Sequence, residues 1–490
     1  MKNTARILLL LVVMLLCACS DDKPDTEPAE NSSQTTPTEQ QTEDPYEADS
    51  LPEGLDLNDA TVRIGYYHSH KNHVDPENET GEVLDDEVFR RNKRVEERLN
   101  VNIESTSIDV EWTEYLPYVR NTVSAGDSAF DALHLWQYDF APQIVDNLFL
   151  ELSDVPYIDY TKPWWATDYM KDMSVNGDSV YFLMGDIDYG MLSNMTCCFY
   201  NKKLYETYFG NADGLYDTVL ADEWTIDKLS ELVKSYYSDV NGNGEADADD
   251  ILGFGAVRGN AAPPVFFFFN MGCTFSNRDS DGYPVLDPVT DRNILVIDKT
   301  IDLFHNTVGT YFFGEDTSEV NVAYEQHFID GKSGFFFGKL SYLNTFRGME
   351  DDFGIIPFPK LDASQETYLS LVSGVALMYG IPSDIQDIDN ICAVMEALAS
   401  DSHRTVMPMY YETILKEKYS RDRASSQMID ILHDNPVTDF TYTMGMGYDT
   451  EIRYIVQTTG QNTFASFCEK NRKRIEKQLQ AFIDADLAAE

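Results

Sequence analysis

The sequence predicts an α/β protein with two domains, and three features of the chain support that prediction. Runs typical of strands alternate with helical patterns between residues 60 and 138, and this order predicts a parallel sheet with right-handed crossovers. Three further strand candidates follow one another within residues 331–382. The 490 residues are enough for two domains with sizeable cores.

The first domain opens with a regular alternation of elements. They are strand 60–66, helix 85–99, strand 101–104, helix 112–124 and strand 130–135. In open α/β sheets, ligands bind at the carboxyl ends of the strands. His68 follows the first strand, and Trp136 and Tyr138 follow the third, so these three residues are candidate ligand contacts.

The stretch 331–382 supplies three more strand candidates. The apolar run 335–337 follows a turn of small residues and predicts a buried strand, with Tyr342 just past its end as another candidate ligand contact. A second strand over 353–356 is stopped by prolines. A third covers 369–379, and Gly374 in its middle suits a bend or a close approach of backbone.

Other segments fit the same architecture. Asn176-Gly177, within residues 175–183, is a hairpin turn signal. After residue 382 the chain is expected to be mainly helical. The helices are predicted at 391–399, 412–418, 426–433 and 464–486.

Composition and motifs narrow the function. With 84 Asp and Glu against 36 Lys and Arg, the net charge is −48, which argues against binding nucleic acid because phosphates would be repelled. The sequence has no Gly-x-Ser-x-Gly elbow, P-loop, dinucleotide fingerprint or HExxH motif. We therefore expect no enzymatic activity. The five cysteines after residue 19 have no spacing typical of zinc or of a disulfide framework, so we expect buried free thiols.

The N-terminus has the pattern of an export and anchoring signal. Lys2 and Arg6 precede the apolar run 7–16, which is too short to span a bilayer as an anchor. The following Leu-Cys-Ala-Cys looks like a bacterial lipobox, so residues 1–18 are predicted to be removed and Cys19 to be lipidated. Residues 19–55 are acidic and poor in apolar residues, and they predict a disordered tether. The protein would then be extracytoplasmic and lipid-anchored to the bacterial cell membrane.

Residues 239–250 match the twelve-residue calcium loop of an EF-hand. Carboxylate and amide oxygens fall at alternate positions, and Gly244 allows the sharp turn. The predicted ligands of a structural Ca²⁺ ion are Asp239, Asn241, Asn243, Glu245 through its main-chain carbonyl, Asp247 and Asp250. The last loop position carries Asp rather than the longer Glu, which predicts an extra water or a weaker site. The alternative is an acidic, solvated turn.

The order of these segments resembles the extracellular solute-binding proteins of ABC importers, the family that includes the maltose-binding protein. Three segments carry the resemblance: S-A-G-D-S-A-F-D-A-L at 124–133, G-K-S-G-F at 331–335 and G-I-I-P-F-P at 354–359. The sequence departs from the family in its expected hairpin, where Asp178 replaces the usual Lys. The resemblance covers roughly the whole chain after the leader.

The resemblance implies a two-lobed, periplasmic-binding-protein-like fold of type II, with crossover strands between the lobes. Lobe 1 would comprise 56–193 and 375–438, and lobe 2 would comprise 194–374 and 439–490. Such a protein acts as a monomer that closes on a small molecule and delivers it to an ABC permease. Phe275 stands where the family has an aromatic residue that faces the cleft.

We predict a carbohydrate ligand, an oligosaccharide, because sugar C–H faces pack on aromatic rings while their hydroxyls need a few polar groups. Trp136 and Tyr138 would line one lobe, and Phe275 and Tyr342 the other. Two polar residues complete the predicted site, His68 and Asp188. Each aromatic has core packing as its alternative, and a peptide is the rival ligand. An anchored polysaccharide hydrolase or a surface adhesion protein is the alternative function.

Overall fold

The computed structural model describes residues 47–76, 78–259, 262–418 and 423–489. The predicted signal peptide, Cys19 and most of the predicted tether lie outside the described residues. None of the described helices combines the length and apolar composition that a membrane span requires. The strands, in chain order, are β1 (Ala60–Tyr67), β2 (Val101–Ile108), β3 (Ala132–Trp136), β4 (Phe182–Leu183), β5 (Thr196–Asn201), β6 (Leu252–Arg258), β7 (Ser276–Arg278), β8 (Pro284–Leu286), β9 (Thr310–Glu315), β10 (Ser333–Lys339), β11 (Phe353–Ile356), β12 (Ser370–Leu371), β13 (Leu377–Gly380) and β14 (Pro436–Val437).

The first large sheet has the order β2-β1-β3-β13-β4. β2, β1 and β3 are parallel, as the alternation of strands and helices predicts, and β13 adds antiparallel beside β3. Val62 and Ile64 of β1 point into the core, while Arg63 between them pairs with Asp131 at 2.8 Å. The period of two therefore places apolar and charged side chains on opposite faces.

The second large sheet has the order β11-β5-β10-β6-β9. β10, β6 and β9 are parallel to one another, and β5 runs antiparallel between β10 and β11. The three phenylalanines of β10 are fully buried, since helices and loops cover both faces of this strand. Phe335 lies opposite Tyr200 on one side and Phe254 on the other.

Helices flank both sheets, which keeps both faces of the parallel strands out of water. The longer ones are Val83–Leu99, Trp112–Ala125, Thr167–Met173, Lys202–Phe209, Gly214–Leu220, Ile226–Tyr236, Pro263–Asn270, Asp291–Ile301, Ser318–Ile329, Ile388–Arg404, Arg423–His433, Tyr448–Tyr454 and Phe464–Ala489. Short helical turns and π-helical segments are His68–His70, Lys71–Val74, Gln137–Phe140, Ala141–Asp146, Gly190–Ser193, Asp302–Asn306, Leu340–Tyr342, Leu343–Phe346, Val406–Pro408, Met409–Lys418, Phe440–Thr443 and Ile455–Thr459.

Two segments carry the chain between the large sheets. The first, residues 184–195, leads from β4 to β5, and the second, residues 357–376, leads from β11 back to β13. They pair with each other: Met195 and Val372 form an antiparallel bridge, and Ser373 N donates to Asn194 O at 3.0 Å. β14 adds to the second segment through its parallel pairing with β12. The lobe ranges assigned from the sequence stay predictions.

Two predicted elements differ from the structure. The strand expected over 369–379 is split into β12 and β13, which belong to different sheets, and Gly374 lies in the bend between them. The hairpin expected over 175–183 does not form a ladder of its own. Only Phe182–Leu183 is a strand there, and it pairs with β13. The Asn176 side chain instead accepts from Ser179 N at 2.7 Å and closes a local turn.

The five cysteines within the described residues are buried free thiols, as the sequence predicts. They are Cys197, Cys198, Cys273, Cys392 and Cys468. Cys197 and Cys198 lie in β5, within the second sheet. Burial raises the pKa of both of these thiols well above its ordinary value.

Asp439, which follows β14, links the hairpin of β7 and β8 to the helical turn Phe440–Thr443. Its buried carboxylate accepts from Phe275 N at 3.0 Å and Ser276 N at 3.1 Å, which begin the hairpin of β7 and β8. The other carboxylate oxygen accepts from Thr441 N at 2.8 Å and Tyr442 N at 3.2 Å and caps the helical turn Phe440–Thr443. One side chain therefore satisfies buried backbone donors from two separate elements.

We expect Asp439→Ala to lower the free energy of unfolding by about 2–4 kcal/mol, because it removes a cap and leaves buried N–H groups without acceptors. Urea titration of the purified protein measures this change. Asp434→Ala is the matched control, since the Asp434 side chain is 71% exposed and contacts His433. Equal destabilisation by both substitutions would contradict the role assigned to Asp439.

Candidate functional site

A cavity of about 320 Å³ opens at the carboxyl ends of β6 and β10, the place where open α/β sheets bind ligands. Its walls combine aromatic rings with a few polar groups, which is typical of small-molecule sites. The second connecting segment contributes Ser373 and Val375. The other lining residues are Phe254, Gly255, Ala256, Val257, Ala262, Pro263, Phe266, Phe304, Asp316, Asn321, Tyr324, Glu325, Phe336, Phe337, Gly338, Lys339, Tyr342 and Gln457.

Tyr342 is the residue of the predicted set that lines this cavity. It follows β10 in the turn Leu340–Tyr342, and its partly buried ring packs on Phe336 with the centroids 4.8 Å apart. Its hydroxyl lies near the Glu325 carboxylate. Burial, and then the nearby Glu325 charge, raise the pKa of Tyr342. The ring is therefore held in one orientation by packing on one side and a carboxylate on the other.

Lys339, the last residue of β10, joins the cavity to the connecting segments. Its ammonium donates to Asn194 Oδ1 at 3.0 Å, and Asn194 belongs to the first segment. Burial lowers the pKa of Lys339 to about 8. Lys339 is not among the residues predicted from the sequence, although its place at a strand end is a signal that could identify it.

Trp136 and Tyr138 lie beside the connecting segments on the side of the first sheet. Trp136 ends β3 and is partly buried against Tyr67, with ring centroids 4.6 Å apart. Tyr138 is 38% exposed, and its N–H donates to Gly374 O at 2.7 Å. A Cβ at Gly374 would lie 3.2 Å from the Tyr138 side chain, so glycine permits this close approach.

The Asp188 carboxylate contacts two histidines and does not face solvent. It is buried, and its carboxylate lies 2.9 Å from His134 Nε2 and 2.9 Å from His73 Nδ1. Burial alone would raise the pKa of Asp188, but His73 and His134 together lower it well below its ordinary value. Both oxygens of this carboxylate are already engaged by histidines within the protein. This argues against the predicted role of Asp188 in binding sugar hydroxyls.

His70 extends this cluster, which we call the histidine cluster (His70, His73, His134 and Asp188). His70 Nδ1 lies 3.1 Å from His134 Nδ1, and its Nε2 is buried without a hydrogen-bond partner among the described residues. Burial, and then the neighbouring histidines, lower the pKa of His70 to about 2. The sequence offered one signal for this cluster: a histidine in the middle of the apolar run Ala-Leu-His-Leu-Trp of β3.

His68 points away from this cluster. It begins the turn His68–His70 and is exposed, with Nδ1 3.8 Å from Asp109 Oδ1. Its ring contacts Tyr67, with the centroids 4.1 Å apart. His68 is accessible to solvent but does not line the cavity.

Phe275, the predicted aromatic contact from the second sheet, is packed in the core and does not line the cavity. Its side chain has no exposed surface, and its ring stacks between Phe268 at 4.5 Å and Tyr448 at 5.1 Å. The surroundings are rich in aromatic residues from Pro263–Asn270, so hydrophobic packing decides the position of this ring.

The predicted calcium loop is closed at its base by a pair of backbone hydrogen bonds between Ser238 and Ile251, at 3.0 and 3.1 Å. Inside the loop, Asp239 accepts from Gly244 N at 2.8 Å, and Asp250, which is fully buried, accepts from Val240 N at 2.9 Å. Across the described residues, no group of three or more His, Cys, Asp or Glu side chains is arranged as a metal site. Binding of Ca²⁺ therefore stays a prediction from the sequence.

No family model and no curated protein matches the chain. Solved structures do match its fold, at low sequence identity. An ABC substrate-binding protein from Listeria monocytogenes, in complex with cycloalternan, is 12% identical with a TM-score of 0.54, covering 86% of this chain and 100% of that chain. An ABC transporter solute-binding protein from Thermotoga lettingae, bound with α-D-tagatose, is 14% identical with a TM-score of 0.55, covering 86% and 100%.

A third solved structure is UgpB from Mycobacterium tuberculosis, in complex with glycerophosphocholine. It is 13% identical with a TM-score of 0.56, and the match covers 87% of this chain and 99% of that chain. At such identities the likeness shows the fold alone. The predicted fold class is confirmed: the chain has the two-lobed, periplasmic-binding-protein-like α/β fold, with parallel-rich sheets flanked by helices.

The histidine cluster predicts how stability depends on pH. The pKa of His70 is about 2 and that of His134 is also lowered in the folded protein, mainly by burial. In the unfolded chain, a histidine takes up a proton near pH 6.5. Each neutral, buried histidine therefore makes its full contribution to the free energy of unfolding above that pH. The contribution is lost as the pH falls below it, at about 1.4 kcal/mol per pH unit for each histidine.

Urea unfolding at pH 7.5 and 5.5 measures this dependence. Carboxyl groups with raised pKa, such as Glu396, change stability in the opposite direction, so the comparison of variants isolates the histidines. When the pH falls from 7.5 to 5.5, the free energy of unfolding should decrease by about 1.4 kcal/mol less in His134→Gln than in the wild type. His433→Gln, at an exposed site, should follow the wild type. Identical pH slopes for all three proteins would contradict the prediction.

Proposed function

We propose that this protein is a solute-binding protein that captures a carbohydrate, an oligosaccharide, and delivers it to an ABC permease. The observation that carries the proposal is the position of the cavity. It lies at the carboxyl ends of β6 and β10, directly beside the two paired segments that connect the sheets. A ligand in this place contacts the connection on which any movement between the two sheets depends.

The chemistry of the cavity supports a sugar. Tyr342 offers an aromatic face held by Phe336 and Glu325, and a sugar ring can pack on it. Asp316 and Asn321 supply polar groups in the same wall for hydroxyls. Two of the proteins with this fold were solved with carbohydrates, cycloalternan and α-D-tagatose, and a third was solved with glycerophosphocholine.

The connecting segments support a mechanism of closure. Hinges consist of a few loop or strand-end residues that absorb a change in backbone angles. Asn194, Ser373 and Gly374 lie in such a place, between strands of different sheets. Tyr138, beside Gly374, would approach a ligand from the first sheet when the protein closes. The function requires no covalent chemistry, and two of the solved structures with this fold are named as substrate-binding or solute-binding proteins.

The proposal includes an extracytoplasmic location. Lipidation of Cys19 would anchor the chain to the membrane, and the acidic residues that follow would hold the folded part away from the lipid. The protein would act as a monomer that meets the permease at the membrane surface.

The proposal also includes a structural Ca²⁺ ion in the loop 239–250. The oxygen donors there are of the kind that Ca²⁺ prefers, and the backbone pair of Ser238 and Ile251 fixes the ends of the loop. Asp239 and Asp250 would hold the ion together with the other four predicted ligands. A bound ion supplies a positive charge that offsets the repulsion among these carboxylates.

We expect Tyr342→Ala to weaken carbohydrate binding by about 2 kcal/mol or more, because it removes the aromatic face of the cavity. Isothermal titration with maltotriose, and with any oligosaccharide that raises the melting temperature more, measures the loss. Trp136→Ala tests the predicted contact from the first sheet in the same way. Trp112→Ala is the control, since Trp112 is 62% exposed on a helix that contributes nothing to the cavity. Unchanged affinity in folded Tyr342→Ala protein would overturn the assignment of the cavity.

We expect calcium to raise the stability of the protein. With a dissociation constant of about 1 mM, 10 mM Ca²⁺ adds about 1.4 kcal/mol relative to a chelator. Thermal melting with and without EGTA measures this effect. Asp239→Ala should abolish it while leaving carbohydrate binding intact, and Asp249→Ala, at a loop position that is not a predicted ligand, should preserve it. A melting curve indifferent to chelation would show that the loop is only an acidic turn.

A further inference from the structure

Lys339 carries a charge that the protein does not neutralise. It is partly buried in the cavity wall, and its ammonium donates to the neutral Asn194 Oδ1 at 3.0 Å. An ammonium has three N–H donors and no acceptor, so a single acceptor leaves two donors over. Within the described part of the chain, no carboxylate forms an ion pair with Lys339.

Two other lysines, by contrast, each form an ion pair with an aspartate. Lys360 is 2% exposed, and its Nζ lies 2.8 Å from Asp222 Oδ1. Lys203, which is 70% exposed, lies 2.7 Å from Asp351 Oδ1. Lys339 also lines the cavity, yet it has no acidic partner among the residues that the structure describes.

The missing partner has an energetic consequence. Removing an ammonium from water without a counter-charge is costly, and desolvation alone lowers the pKa of Lys339 to about 8. Asp316 and Glu325 line the same cavity, but neither forms an ion pair with the lysine. An anion placed in the cavity would restore the lost interaction and would use the two remaining donors.

We propose that the ligand of this cavity is an acidic carbohydrate, whose carboxylate or phosphate group accepts from Lys339 while a sugar ring packs on Tyr342. This inference rests on the proposed function and specifies its substrate class. A lysine acts as a compact point charge, so it accommodates either kind of anionic group. Lys339 is then the residue that distinguishes acidic from neutral ligands.

Matched pairs of probes test the inference by isothermal titration at pH 7 and 0.15 M NaCl. One pair is digalacturonate and its neutral dimethyl ester, and the other is glucose 6-phosphate and glucose. We expect at least one acidic probe to bind tenfold or more tightly than its neutral partner. Lys339→Met should remove this preference, so that the acidic and the neutral probe of a pair bind the variant with equal affinity. Lys203→Met, which removes an exposed charge, is the control.

Dependence on pH gives a readout that loss of packing would not produce. Since the pKa of Lys339 is about 8, raising the pH from 7 to 9 should weaken binding of the acidic probe about tenfold. Lys339→Arg keeps its charge at pH 9 and should abolish that loss. The other titratable groups around the cavity are Asp316, Tyr324, Glu325 and Tyr342, and the pKa values of both tyrosines are raised.

The outcomes separate the two proposals. Equal binding of acidic and neutral probes, or an unchanged acid preference in Lys339→Met, overturns the inference. If only neutral sugars bind, and binding depends on Tyr342, the inference is wrong and the proposed function stands. If no carbohydrate of either kind binds, the proposed function fails and the inference fails with it.

Discussion

The fold depends on the backbone pairing of the two segments that connect its sheets. Met195 bridges Val372, and Ser373 donates to Asn194, so both crossings pass through one place. β14 joins them from the C-terminal part of the chain through its pairing with β12. A connection made of short paired segments fixes where the sheets meet while leaving few residues to rotate, which is the arrangement that hinge motion requires.

The residues around this connection combine structural and binding roles. Asp439 holds β14 against the hairpin that starts at Phe275, and Lys339 reaches from β10 to Asn194. Each contact satisfies a buried polar group that would otherwise be costly. Because Lys339 also lines the cavity, an occupant that attracts its ammonium acts on the same contact that fixes the first connecting segment. Binding and closure would thus be coupled through one side chain.

Much of the fold could be predicted from local pattern. The apolar run 335–337 and the alternation in 60–66 identify β10 and β1, since burial on one or both faces of a sheet leaves a direct trace in the sequence. Tyr342 follows the run 335–337 in the sequence, and it lines the cavity at the end of β10. The break at Gly374 was visible as a bend, but its division of one expected strand between two sheets depends on tertiary pairing that no local pattern encodes.

The rest of the site could not be predicted because it depends on long-range contacts. Asp188 contacts His73 and His134, which lie 115 and 54 residues away in the sequence. No local pattern predicts these two contacts. Phe275 is buried in the core, and its sequence context alone does not separate that position from a ligand contact, because aromatic residues suit both. Lys339 stands at a strand end in the sequence, but its lack of an acidic partner among the described residues depends on long-range packing.

The most direct test of carbohydrate binding is a thermal-shift screen of the intact protein against neutral and acidic oligosaccharides, peptides and polyamines. A ligand that binds only the native state raises the melting temperature. Carbohydrate binding at Tyr342 predicts that carbohydrates do so and that Tyr342→Ala protein loses the effect. Stabilisation by peptides or polyamines, with none by any carbohydrate, would contradict it.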